Sequence, residues 1–174
     1  MVELTRGTPP AQGTEVRLAW DSSHLAVLFH AQDMEPWATM RKRDAPLYEE
    51  EVCEVFLDPE GDLRSYFEIE INPLNTVMDL VIRRTQRGLV KNFAWQCAGL
   101  RTAVHIEPGS WTAELHLPFS SLTLQLPQPG SRWRGNFTRI DRPRGQPREL
   151  SAWAPTGSPT FHVAERFGVI EFAT

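Results

Sequence analysis

The chain has 174 residues, 41% of them hydrophobic and 23% charged, which is the size and composition of one ordinary globular domain that needs no disulfide, metal or partner to explain its folding. A net charge of -4, with basic residues scattered apart from Arg83-Arg84 and the loop Arg142 to Arg148, argues against a nucleic-acid partner. No run of about 18 apolar residues is present and Met1 to Thr14 contain no apolar leader segment, so no membrane association is expected.

As written, the chain is expected to be cytoplasmic, and secreted if a leader has been removed. Residues 1–174 are expected to form a single domain with a poorly structured start over 1–14, where apolar material is sparse. Beyond that start, short apolar runs are broken by Pro, Gly, Asp and Asn at roughly eight-to-twelve-residue intervals, the rhythm of an all-β sandwich. In chain order, strands are predicted near Val16–Trp20, His24–Gln32, Val52–Leu57, Tyr66–Asn72, Val77–Arg83, Leu100–Glu107, Trp111–Leu117, Arg134–Ile140, Leu150–Trp153 and Phe167–Phe172. Tight turns are expected at Asp21-Ser22-Ser23, Asp58-Pro59-Glu60-Gly61-Asp62 and Pro108-Gly109, and consecutive strands should pair as hairpins. The segment Pro118 to Leu122 allows one helical turn at most.

Two long irregular stretches stand out. Asp33 to Glu51 carries Trp37, Pro46 and Tyr48, and Asp141 to Phe161 carries four prolines and three arginines. Loops of this length are commonly functional, and loop aromatics are where a sandwich builds a binding surface.

Nucleotide-binding, zinc-protease and nucleophile-elbow motifs are all absent. Cys53 and Cys97 form no CxxC pair and are expected to be buried free thiols, while the five histidines show no paired ligand spacing. Asn136-Phe137-Thr138 matches a glycosylation acceptor, but inside a predicted strand.

What remains is a set of carboxylates. In Phe67-Glu68-Ile69-Glu70-Ile71-Asn72, period-two alternation puts the apolar residues on a core face and Glu68, Glu70 and Asn72 on a wet one. Glu54 lies opposite Cys53, Val55 and Leu57, so neighbouring strands would bring three carboxylates to one concave surface. They read either as solvated residues on an outer sheet face or as the acid and base of a glycosidase; an i, i+2 pair stands roughly 7 Å apart. Asp58, Glu60 and Asp62, in a Gly-containing turn, offer oxygen ligands for Ca²⁺, against the competing reading of a plain polar turn.

Trp20-Asp21, Arg43-Asp44-Ala45-Pro46, Glu54-Val55-Phe56-Leu57-Asp58, Tyr66 through Pro73, Trp111-Thr112-Ala113-Glu114, Asn136, Asp141, Trp153-Ala154-Pro155, Phe161-His162 and Arg166-Phe167-Gly168 follow one another in an order and spacing that resemble the family 9 carbohydrate-binding modules. The resemblance implies a jelly-roll-like antiparallel sandwich of about nine to ten strands, non-catalytic binding of a small carbohydrate or the end of a polysaccharide, no required cofactor, and in many members structural Ca²⁺. It also implies a clamp of two aromatic rings. Here these are Tyr48, six positions before Glu54, and Phe161, six before Phe167, where well-studied members have Trp at both. Glu54 matches the family's hydrogen-bonding carboxylate, whereas Glu68 and Glu70 stand where such members carry Arg and Asn. Acidic groups accept from hydroxyls and repel anions, so neutral or amino sugars are expected in preference to uronic acids. The wider fold group also contains haem-binding cytochrome domains, for which Met40, Met78 and His162 are the available ligands.

Overall fold

A computed structural model describes residues 1–174. Its strands are β1 (Val2–Glu3), β2 (Thr14–Trp20), β3 (His24–Gln32), β4 (Val52–Asp58), β5 (Ser65–Ile71), β6 (Val77–Thr85), β7 (Gly88–Asn92), β8 (Arg101–Glu107), β9 (Ser110–Pro118), β10 (Arg132–Asp141), β11 (Glu149–Ala152) and β12 (Gly168–Glu171), with one helical turn α1 (Phe119–Leu122). They form two antiparallel sheets packed as a sandwich. The smaller runs β2-β3-β9-β8, and the larger runs β1-β11-β10-β4-β5-β6-β7, with β12 pairing the first half of β10 where β11 pairs the second.

Alternation explains the inner core. Cys53, Val55 and Leu57 of β4, Ile69 and Ile71 of β5 and Phe137 of β10 point at Leu25, Val27, Phe29, Trp111, Ala113 and Leu115 of the smaller sheet, within a cluster of 21 buried residues. Cys53 and Cys97 are both buried free thiols. Close strand approach fixes Gly135, because a Cβ there would stand 2.6 Å from the Phe56 carbonyl oxygen.

The outer face of the larger sheet corrects the sequence expectation of a wet surface. The opposite residues of the same strands, Val52, Phe56, Tyr66, Met78, Leu80, Ile82 and Ile140, join Leu4, Leu47, Phe161, Ala164 and Phe167 in a second core of 13 buried residues. The irregular stretches on either side of β4 and after β10 lie over this face, and every residue of β4 is buried. Alternation reports which residues share a face; it does not report whether chain elsewhere covers that face.

Two further differences have local causes. The start of the chain is ordered: β1 pairs β11, the Leu4 N–H donates to the Leu150 carbonyl at 2.9 Å, and the Leu4 side chain fills the outer core. Strand β7 is exposed throughout and so carries no alternation signal; it forms as the return arm of a hairpin from β6, with Gly88 at φ +112 closing the turn.

If the outer layer is a true core, Phe56→Ala should cost about 3–5 kcal/mol, comparable to Trp111→Ala in the inner core. Urea unfolding monitored by tryptophan fluorescence measures both; a loss under about 1 kcal/mol for Phe56→Ala would show the covering loops to be loosely held.

Candidate sugar-binding pocket

Glu54, Glu68 and Glu70 share the outer face because β4 and β5 pair with Glu54 directly opposite Glu70, and Glu68 lies two residues along the same strand. One oxygen from each lies within 4.8 Å of the others. All three are buried, at 1%, 3% and 0% exposure. The Thr138 hydroxyl, across from Glu54 on β10, donates to Glu54 Oε2. Lys91 Nζ on β7 stands 4.0 Å from Glu68 Oε2. Neither Glu70 oxygen has a hydrogen-bond donor, and Glu68 Oε2 is likewise without one.

Burial dominates the titration of this group. It pushes Glu54 up to about 8, with the charge of Glu68 adding to it. Glu68 is raised by burial against the opposing charge of Lys91, and Glu70 is raised further by burial and by both neighbouring carboxylates.

Above Glu54 and Glu68 the cover parts into a pocket of about 200 Å³, walled by Tyr48, Lys91, Ile140, Arg148, Leu150, Pro159, Thr160, Phe161 and His162. Tyr48 is 40% exposed, on the short helical turn Leu47–Glu49 whose Leu47 anchors it in the outer core. Its backbone carbonyl accepts from Arg142 Nη2 at 3.1 Å, tying the two loops together. Phe161 is only 7% exposed, with its ring centroid 6.2 Å from that of Phe56. The two rings expected to form a clamp are therefore unlike, Tyr48 being partly exposed and Phe161 a member of the outer core.

His162 holds the pocket together. Lys91 Nζ donates to its Nε2 at 3.0 Å, so the neutral ring carries its proton on Nδ1, 3.1 Å from the Tyr66 hydroxyl oxygen. Burial, and then Lys91, hold its titration down to about 4. With both ring nitrogens engaged, and the Met78 sulfur buried in the outer core with Met40 packed against it, these residues do not fit as haem ligands.

Of the two readings of the Asp58–Asp62 turn, a Ca²⁺ site or a plain polar turn, the geometry favours the polar turn. Asp58 is buried and its oxygens accept from the Gly61 N–H at 2.8 Å and the Leu63 N–H at 3.0 Å, and Asp62 accepts from the Arg64 N–H. Asp58, Glu60 and Asp62 do not converge on one point, so this donor set does not fit the ion. A second acidic group does converge elsewhere. Asp33, Glu51 and Asp141 gather at the end of β3, the start of β4 and the end of β10, where the buried Arg139 guanidinium bonds Asp33 at 2.7 Å and stands 3.5 Å from Asp141. Asn136 is fully buried with its amide on Ala154, which closes it to modification.

Over residues 3–174 the chain matches the family model described as carbohydrate family 9 binding domain-like. The chain belongs to this family. Among solved structures, a candidate carbohydrate-binding protein of Bacteroides uniformis superposes with a TM-score of 0.80 at 19% identity, covering 98% of this chain and 83% of that one. The family 9 carbohydrate-binding module of Caldicellulosiruptor kristjanssonii in complex with glucose gives 0.70 at 14% identity, covering 98% and 82%. The same organism's family 9 module in complex with cellotriose gives 0.69 at 15%, covering 94% and 76%. No curated protein matches the chain.

Set against this family 9 fold, four of the five expected site residues, Tyr48, Glu54, Glu68 and Phe161, line one pocket, and Glu70 lies beneath it. Lys91 and His162 went unassigned to the site. Lys91 sits on the strand without alternation, and nothing in the spacing of His162 joins it to a lysine 71 residues away.

A carboxyl that titrates higher in the folded than in the unfolded chain holds extra protons when folded, so stability is lost as pH rises through that interval. For Glu51 and Glu54 the interval runs from about 4.5 to about 8. Glu51 owes this to burial, opposed by the Trp37 N–H and reinforced by Asp33 and Asp141. His162, depressed when folded, acts in the opposite sense between about 4 and 6.5, so above 6.5 the carboxylates act alone. In chelator-containing buffer, Tm should fall between pH 6.5 and pH 8.5, by roughly 2–4 °C per kcal/mol lost, and Glu54→Gln should flatten the slope. A Tm that holds constant or rises over that range would mean the carboxylates ionise normally.

Proposed function

We propose that the domain binds a neutral or amino sugar non-catalytically in the Tyr48–Phe161 pocket. The observation that carries this is the convergence of an exposed aromatic ring with buried acceptors and a cationic donor on one small cavity. Tyr48 offers a face for the C–H side of a pyranose ring, Glu54 and Glu68 accept from its hydroxyls, and Lys91 donates to a ring or hydroxyl oxygen. A volume of about 200 Å³ is below the roughly 300–1,000 Å³ of drug-sized sites and suits one sugar unit. A wider polar groove of about 680 Å³ adjoins it through Arg148, Leu150 and Pro159 and leaves room for the next units of a chain. That groove has no aromatic residue on its walls, so stacking belongs to the pocket.

Family membership supports this reading, and the neighbours in complex with glucose and cellotriose are of the same fold. The carboxylates support binding over hydrolysis. They stand on neighbouring strands of one sheet face, on one side of the pocket, whereas an acid and its partner flank the glycosidic bond from two sides.

Titration calorimetry with glucose, glucosamine and their short oligomers tests it. Binding in the micromolar to millimolar range is expected, abolished by Tyr48→Ala with stability changed by no more than about 0.5 kcal/mol. Above about pH 8, where Glu54 is ionised, Glu54→Gln should weaken affinity by about 1–3 kcal/mol. Phe161→Ala, by contrast, should lose about 3–5 kcal/mol of fold stability because its ring belongs to the outer core. Saturable binding unaffected by Tyr48→Ala would place the site elsewhere.

A further inference from the structure

We infer that Glu54, Glu68 and Glu70 form a site for a hard divalent cation of the Ca²⁺ class at the floor of the pocket. Two oxygens bound to one calcium ion stand at most about 5 Å apart, and one oxygen from each of these carboxylates lies within 4.8 Å of the others. Glu70 supplies the independent sign. It is fully buried and points into the group, and its only hydrogen-bonding neighbour is Glu68, another carboxyl, so when both are ionised neither Glu70 oxygen has a donor, a condition costly without a cation. Glu68 Oε2 is a third oxygen without a hydrogen-bond donor.

The donor set selects the ion class. It is all carboxylate, with the Thr138 hydroxyl beside Glu54, and His162 is excluded because both its ring nitrogens are engaged. Facing these three acidic groups are Lys91, 4.0 Å from Glu68 Oε2, and Arg148 on the pocket wall, and neither bonds Glu70, which leaves a deficit suited to a divalent ion. Glu54 and Glu68 line the pocket, so the ion has an entry path and an open side. On that side a pair of neighbouring sugar hydroxyls would complete the coordination shell, a step that rests on the sugar reading above.

Chelator-stripped protein titrated with Tb³⁺ and then Ca²⁺ tests the site, since Tyr66 lies two residues from Glu68 on the same face of β5 and sensitises a lanthanide there. The expected result is a saturable terbium signal displaced by Ca²⁺, with Ca²⁺ raising Tm. Glu70→Gln should weaken binding by more than the roughly 10–100-fold that loss of an outer-shell partner costs. Glu68→Gln provides the same test if Glu70→Gln fails to fold, and Glu51→Gln should leave binding intact. Absence of a signal, or a signal kept in Glu70→Gln and Glu68→Gln but lost in Glu51→Gln, overturns the inference. Sugar titrations with and without Ca²⁺ separate the two readings: sugar binding unchanged by Ca²⁺ with no terbium site removes the cation alone, and a terbium site with no sugar binding in either buffer removes the sugar alone.

Discussion

The rest of the structure depends on the larger sheet being covered on both faces. A sandwich needs only its inner faces dry, and in most such sheets the outer face can remain in water. Here the outer face carries Phe56, Tyr66, Met78, Leu80 and Ile82, and the chain supplies a cover from its first residues, from the stretch before β4 and from the stretch after β10. Everything unusual about the site follows. Carboxylates that alternation would leave solvated are placed under that cover, and where it parts they become the floor of a pocket.

This explains how much was legible in the sequence. The strands with a covered inner face and regular alternation, such as His24–Gln32, emerge within a residue or two of their observed limits, because local period and turn chemistry determine them. Strand β7 was hidden, since Gly-Leu-Val-Lys-Asn is exposed on both sides and takes its conformation from the hairpin alone. Period two correctly put Glu54, Glu68 and Glu70 on one face, but their dryness depends on contacts with Leu4, Leu47, Phe161 and Phe167, all distant in sequence. The spacing that marked Tyr48 and Phe161 brought both to the pocket. It could not show that Phe161 is committed to the core, because that depends on its approach to Phe56 across more than a hundred residues.

The family resemblance and the geometry contribute different things. Membership in family 9 gives the sandwich and the carbohydrate class of ligand, while the three clustered glutamates set the chemistry of this pocket. Lys91 adds one donor from a different strand. It stands 4.0 Å from Glu68 and donates to His162, so the pocket has a cationic group beside its carboxylates.

The two buried acidic groups are the most informative comparison within the molecule. Both gather three carboxylates at β4, Asp33 reaching the first group from the end of β3 in the smaller sheet, and both meet a desolvation penalty. At Asp33, Glu51 and Asp141 the chain places its own cation, the fully buried Arg139, which also bonds the Gln32 carbonyl and the Thr14 hydroxyl and so ties the two sheets. That group is met by a fixed internal charge, although Glu51 Oε1 and Asp141 Oδ1 still have no hydrogen-bond donor. At Glu54, Glu68 and Glu70 no guanidinium bonds the carboxylates, three oxygens remain without hydrogen-bond donors, and Lys91 and Arg148 stand on the pocket wall. The chain sets its own cation against the group at Glu51 and bonds none to the group three residues along at Glu54, so its less compensated acidic group is the one beneath the pocket, where a bound partner would meet that charge.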